Sequence, residues 1–197
     1  MTDPTYSLRL SLASEATTYR LSADALQCTT AKGTRILPLA EIGKVRVYEA
    51  PGRTSWFGQI APAFARCVIR PRRGRAIVLS SNHFIGLGRF EDRSATFRPF
   101  VDTLIARLRS AHPGAQLLAG MPPALWWTWV ALLAAVALVT PAFIVIIVQE
   151  LVAGRALQTP AVLSGLIVFG AALGIVSYAR VLRRNRPRRL TPTPSPS

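Results

Sequence analysis

Residues 124–148 read ALWWTWVALLAAVALVTPAFIVIIV, 25 consecutive positions without a charge. No other stretch limits the fold as strongly, because about 20 apolar residues are enough for a helix to cross the hydrocarbon core of a bilayer. A straight helix of this length would run about 37 Å at 1.5 Å per residue, so tilt or a bend at Pro141 is expected. A core helix of a soluble domain would be shorter and would carry a polar face. The pattern therefore predicts a transmembrane helix over 124–148.

A second uncharged run, AVLSGLIVFGAALGIVSY, covers 161–178 and is just long enough to span, giving an expected second helix over 161–179. The loop between them, 149–160, is short, so the two spans should form an antiparallel hairpin. Arg180, Arg183, Arg184 and Arg186 directly follow the second span, whereas the loop holds Arg155 alone. By the positive-inside rule the C-terminus then lies in the cytoplasm and the loop outside. Two spans return the N-terminal part to the same side, so an inner-membrane protein with both termini cytoplasmic is expected. MTDPTYSLRL has no signal-peptide pattern, which agrees. Trp126, Trp127 and Trp129 open the first span and Tyr178 closes the second, as aromatic anchors at one interface would. Gly170 and Gly174 form a G-x-x-x-G, and Ala131 and Ala135 repeat its spacing on the first span. Small residues at that interval allow close helix packing, within the hairpin or between copies. Neither run carries an ionisable residue, which argues against a proton relay or charged-solute path through these helices.

Charge divides the chain in the same places. The net charge is +15, and apart from Lys32 and Lys44 the basic residues are arginines. Residues 1–120 hold 17 basic and 8 acidic side chains, and 180–197 hold six arginines and no acid. The stretch 180–197 is expected to be a basic, disordered tail ending in TPTPSPS. Cys28 and Cys67 have no metal-type spacing and lie in apolar runs, so buried free thiols are expected.

Residues 16–118 read as a separate domain, with 1–15 an N-terminal segment holding a possible extra strand, YSLRLSL (6–12). Strands are expected at 17–22, 25–30, 34–39, 44–50, 64–70 and 75–81. In KVRVYEA, for example, Val45 and Val47 alternate with Lys44, Arg46 and Tyr48. One amphipathic helix follows at about 97–110. Pro99 suits its first turn, Phe97, Val101, Leu104, Ile105 and Leu108 share a face, and His112-Pro113-Gly114 stops it.

Strands followed by one helix in about 100 residues is the plan of a pleckstrin-homology-like (PH-like) barrel. The segments YRLSADALQC, ILPLAEIGKVRVY, CVIRPRRGRAIVLSSNHF and EDRSATFRPFVDTLIARL resemble the PH-like domains of small alphaproteobacterial membrane proteins. The shared features are an ADAL turn, an L-x-E-I element (Leu39 to Ile42) and an F-x-x-F-V-x-x-L helix (Phe97 to Leu104). The resemblance covers about 16–120. It implies an α+β fold, an antiparallel PH-like β-barrel or sandwich closed by one C-terminal helix, and a membrane location. It implies no activity.

No catalytic constellation is visible. His83 and His112 are far apart, GLGRFED is not a phosphate loop, and Ser80 and Ser81 lack a nucleophile-elbow context. The expectation is a non-enzymatic protein with no cofactor and no metal. Binding remains. Arg70, Arg72, Arg73 and Arg75 crowd a turn built on Pro71 and Gly74, and could meet anionic lipid heads or a protein partner. They could equally be the solvated tip of a hairpin. The alternatives are an accessory subunit of a larger membrane transporter or enzyme complex, and a membrane-tethered nucleic-acid-binding protein. Nucleic acid ranks last, since the basic charge comes without a recognisable nucleic-acid motif.

Overall fold

The computed structural model describes residues 3–50, 64–86, 89–152 and 179–190. The chain divides into two compact units, Met1–Met121 together with Pro187–Ser197, and Pro122–Arg186.

The first unit is α+β. Strands β1 (Thr5–Leu8), β2 (Thr17–Leu21), β3 (Ala25–Thr30) and β4 (Gly33–Pro38) form an antiparallel meander in that order. Alternation decides which side chains face inward: Tyr6, Leu8, Tyr19, Leu21, Leu26, Cys28 and Leu37 are buried. A 3-10 turn, Leu39–Glu41, leads into β5 (Ile42–Ala50), which pairs with β6 (Phe64–Pro71), and β6 pairs with β7 (Ile77–Ser80). Val45, Cys67, Ile69, Ile77 and Leu79 line the inner face of this second sheet. Next come the hairpin β8 (Asn82–Gly86) and β9 (Arg89–Asp92), then helix α1 (Ser94–Ala111). Phe97, Phe100, Val101, Leu104 and Leu108 of α1 complete one core shared with both sheets. Tyr6 sets its ring 5.7 Å from both Phe97 and Phe100 and donates its hydroxyl to the Ser80 carbonyl. Burial pushes the Tyr6 phenol up to about 12.

Strand β10 (Gln116–Ala119) pairs parallel to β5, and β11 (Arg188–Arg189) pairs antiparallel to β10, giving the order β11-β10-β5-β6-β7. Gly120, at φ +84, turns the chain after β10. The Gly120 amide donates to Val47, and Arg46 donates to the carbonyls of Gly120 (3.0 Å) and Met121 (2.9 Å). Burial lowers the Arg46 pKa, with Arg70 adding to the effect.

The second unit is described through α2 (Pro123–Val152), 30 residues continuous through Pro141, and through the helical residues 179–184. Among the described residues one helix is long and apolar enough to cross a membrane, with its window at Pro123–Ala142, and none of that window is buried. The Trp126 indole stacks edge-on against Trp127 (4.8 Å) and donates to the Leu182 carbonyl (3.1 Å).

Several expectations are corrected. Among the described residues the sheets do not close into a barrel, because β4 and β7 each end a sheet without a further partner. The strand expected over 6–12 stops at Leu8, where the Ser14 hydroxyl accepts the amides of Leu10 and Ser11 and folds the chain into a turn. Helix α1 begins at Ser94, three residues before the expected start, with the Phe97 amide closing the first helical bond on the Arg93 carbonyl at 2.9 Å. Pro99 therefore sits in the second turn. The tail expected to be disordered contributes β11 at Arg188–Arg189, held by backbone pairing to Leu118 and Ala119. Residues 161–178 of the second span, with Gly170, Gly174 and Tyr178, lie outside the described residues, as do most of the loop at 149–160 and all of 191–197.

Candidate functional site

The β6–β7 hairpin forms in the expected place, with Arg66 opposite Ser80 and Ile69 opposite Ile77. Its tip spans 72–76, and Gly74 at φ +93 supplies the left-handed position that reverses the chain. Arg70, Arg72, Arg73 and Arg75 are all exposed. The base of the tip is tied down by the Arg72 amide, which donates to the Glu41 carbonyl (2.8 Å). The Arg72 guanidinium donates to Nε2 of His112 at 2.9 Å.

Two more cations join through strand register. Lys44 stands directly opposite Arg70 on the same face of the β5–β6 pair. Like charges at that spacing repel. Arg35 on β4 reaches the hairpin from the other sheet: its Nη2 lies 3.1 Å from where a Cβ on Gly74 would be. None of these six cations has an ion pair among the described residues; the four pairs there join Arg20 and Arg107 to Asp3, Lys32 to Glu15 and Arg93 to Glu91. Arg35 and Lys44 were not singled out from sequence, because only the pairing of β3 with β4 and β5 with β6 carries them to the tip.

A cleft of about 580 Å³ opens beside the hairpin, between the free edges of β4 and β7. Leu10, Tyr19, Cys28 and Ile77 supply its apolar lining, and Lys32 and Arg35 stand with it. Burial raises the Tyr19 phenol to about 12. Burial also raises the Cys28 thiol, with Arg35 opposing. Cys67 is fully buried and is pushed up to about 12, and both cysteines are free.

The remaining site residues fall in the second unit. Trp126 makes the bond to Leu182 described above, Trp127 is 63% exposed, and Ala131 and Ala135 lie one turn apart on exposed helix surface. Arg180, Arg183 and Arg184 are exposed on the helical residues 179–184, and Arg186 is exposed just beyond them. Among the described residues no three His, Cys, Asp or Glu side chains gather as metal ligands would. No family model, curated protein or solved structure matches this chain.

Proposed function

We propose that this chain is a non-enzymatic, membrane-anchored module of PH-like fold. Its arginine hairpin contacts anionic lipid heads on the cytoplasmic side of an inner membrane. The observation that carries the reading is the six-cation cluster, Arg35, Lys44, Arg70, Arg72, Arg73 and Arg75, without a carboxylate partner among the described residues. Each such group near an anionic surface gains about 1 kcal/mol. The Lys44–Arg70 repulsion would also be relieved by a bound anion.

The order of elements, a four-stranded meander, three further antiparallel strands, a hairpin and then a helix on the core, supports the PH-like assignment. Two spans are supported by how the chain closes on itself. It leaves the first unit after Met121 and rejoins it at Pro187, beside the paired Ala119 and Arg188. On this reading both ends of 122–186 belong on one side of a bilayer, as an even number of crossings would leave them. The Trp126–Leu182 bond, joining the start of α2 to the stretch after the second apolar run, is a second, independent closure of the same kind.

The test uses the full chain in nanodiscs of neutral lipid, or of neutral with anionic lipid, read by hydrogen exchange. Exchange at residues 70–75 should slow only with anionic lipid. The protection should vanish at about 1 M salt, where screening is nearly complete at 3 Å, and in a variant with all four hairpin arginines replaced by Gln. Equal exchange in both lipids would sink the lipid reading.

A further inference from the structure

The cleft between β4 and β7 combines three properties. It is about 580 Å³, within the roughly 300–1,000 Å³ of small-molecule sites. Its apolar lining comes from residues on three different strands and the segment after β1, and Leu10 among them is left 41% exposed. Of its two cations Lys32 is paired with Glu15, whereas Arg35 has no ion pair among the described residues and stands against the Gly74 tip between Arg73 and Arg75. An apolar trough with an unpaired guanidinium matches a molecule with a long hydrocarbon body and one anionic head. A neutral chain would leave Arg35 unanswered, and a small hydrophilic anion would leave the trough wet. A carboxylate suits Arg35 because a planar guanidinium can hold both of its oxygens.

We propose that this cleft binds a single-chain anionic lipid, a long-chain carboxylate, with its chain along Tyr19, Cys28 and Ile77 and its head at Arg35. This site lies beside the surface on which the lipid-head reading rests, but it is separate from it, being a cleft for one chain instead of a face on a bilayer. Cys28 doubles as a reporter within the cleft, while Cys67, at 0% exposure, serves as an internal control.

The test labels the full chain, in neutral-lipid nanodiscs, with a photoreactive palmitate analogue and maps the adducts by peptide mass. Adducts are expected on the peptides carrying Tyr19, Cys28 and Ile77. Arg35→Gln should lower their yield about tenfold at limiting ligand through loss of the charged hydrogen bonds. Thr34→Trp, an exposed position at the cleft, should lower it by blocking entry without touching the core. A chain two methylenes shorter should bind on the order of tenfold more weakly. Saturating palmitate should also slow alkylation of Cys28 and leave Cys67 unchanged. Adducts confined to 123–178, or a yield indifferent to Thr34→Trp in a protein with unchanged circular dichroism, overturn the proposal. Cleft labelling that survives the four-arginine variant, while lipid-dependent exchange at 70–75 is absent, sinks the lipid-head reading alone and supports this one. Exchange protection without cleft labelling does the reverse.

Discussion

On α1, Phe97, Phe100, Leu104 and Leu108 are at most 2% exposed, whereas on α2 Trp127, Leu138 and Val152 are 63%, 78% and 83% exposed. The two helices draw on the same residue types and use them oppositely. Helix α1 gathers its apolar side chains on one face and keeps Arg98, Asp102 and Arg109 on the other, so it needs a core on one side and water on the other. Helix α2 has no polar face to offer water, and its exposed leucines and valines fit a hydrocarbon solvent. On the membrane reading proposed above, one chain folds against two solvents, and a substitution tells which solvent a helix sees.

The comparison is sharpest at a buried leucine. Leu104→Ala should cost about 3–4 kcal/mol, from lost burial and the cavity left behind. Denaturation of the full chain in detergent would measure it. Leu138→Ala should cost about 0.5 kcal/mol or less in the same assay, as surface changes do. Equal costs would mean that α2 is packed as a protein core helix and would break the distinction.

A charge tests the same contrast from the other direction. Leu138→Arg lies near the middle of α2 and should cost about 3 kcal/mol in membrane insertion, read as the inserted fraction in a glycosylation-mapping assay. Arg98→Leu on the exposed face of α1 should leave insertion unchanged. If Leu138→Arg inserts as well as the parent, α2 does not meet hydrocarbon.

The same contrast explains which parts of the fold were legible in the sequence. Long elements carry their period within themselves, so α2, α1 and the strands β2 to β7 could be placed from apolar spacing. Cys28 and Cys67 could be read as buried thiols because they sit in such runs. The short elements carry no period. Gln116–Ala119 looks like a lead-in to the span, and Arg188–Arg189 looks like part of a charge run. Each becomes a strand only because a partner far along the chain supplies its hydrogen bonds, β5 for β10 and β10 for β11. The candidate site divides likewise. Four arginines of the hairpin are adjacent in sequence and visible there, but Arg35 and Lys44 arrive through cross-strand register. The cleft exists only because β4 and β7 do not pair, a property of the two sheets that no local pattern records.

The passage from the first unit to α2 can be weakened without touching either core. Arg46→Met keeps an apolar stem on β5 but removes the donors to the carbonyls of Gly120 and Met121. A loss of about 1–2 kcal/mol is expected, discounted because Arg46 is only partly buried. Hydrogen exchange at 116–121 should rise while that of α1 stays unchanged. Equal loosening of α1 would show that Arg46 supports the whole first unit and not its exit.

The smallest expected effect is a pH dependence confined to the first unit, through His83. Its Nδ1 accepts the Arg9 amide at 3.1 Å, so the ring is held neutral, and a proton there would remove that bond. Burial lowers its pKa below the ordinary 6.5, and Arg93 and Arg9 add to this while Glu91 opposes. A histidine lowered in the folded state binds protons more readily when the chain is unfolded. The neutral form's advantage is therefore complete above 6.5 and is lost as pH falls through 6.5 toward the folded value. The thermal midpoint of the first unit should thus drop between pH 7.5 and pH 5.5 by more in the parent than in His83→Gln, whose side-chain oxygen can accept the same amide without titrating. The α2 stretch Pro123–Ala142 holds no titratable side chain, so its helical signal in detergent should not move over that range. A parallel drop in both would place the titration outside His83, and a parent no more sensitive than His83→Gln would show that the Arg9–His83 bond carries none of the acid response.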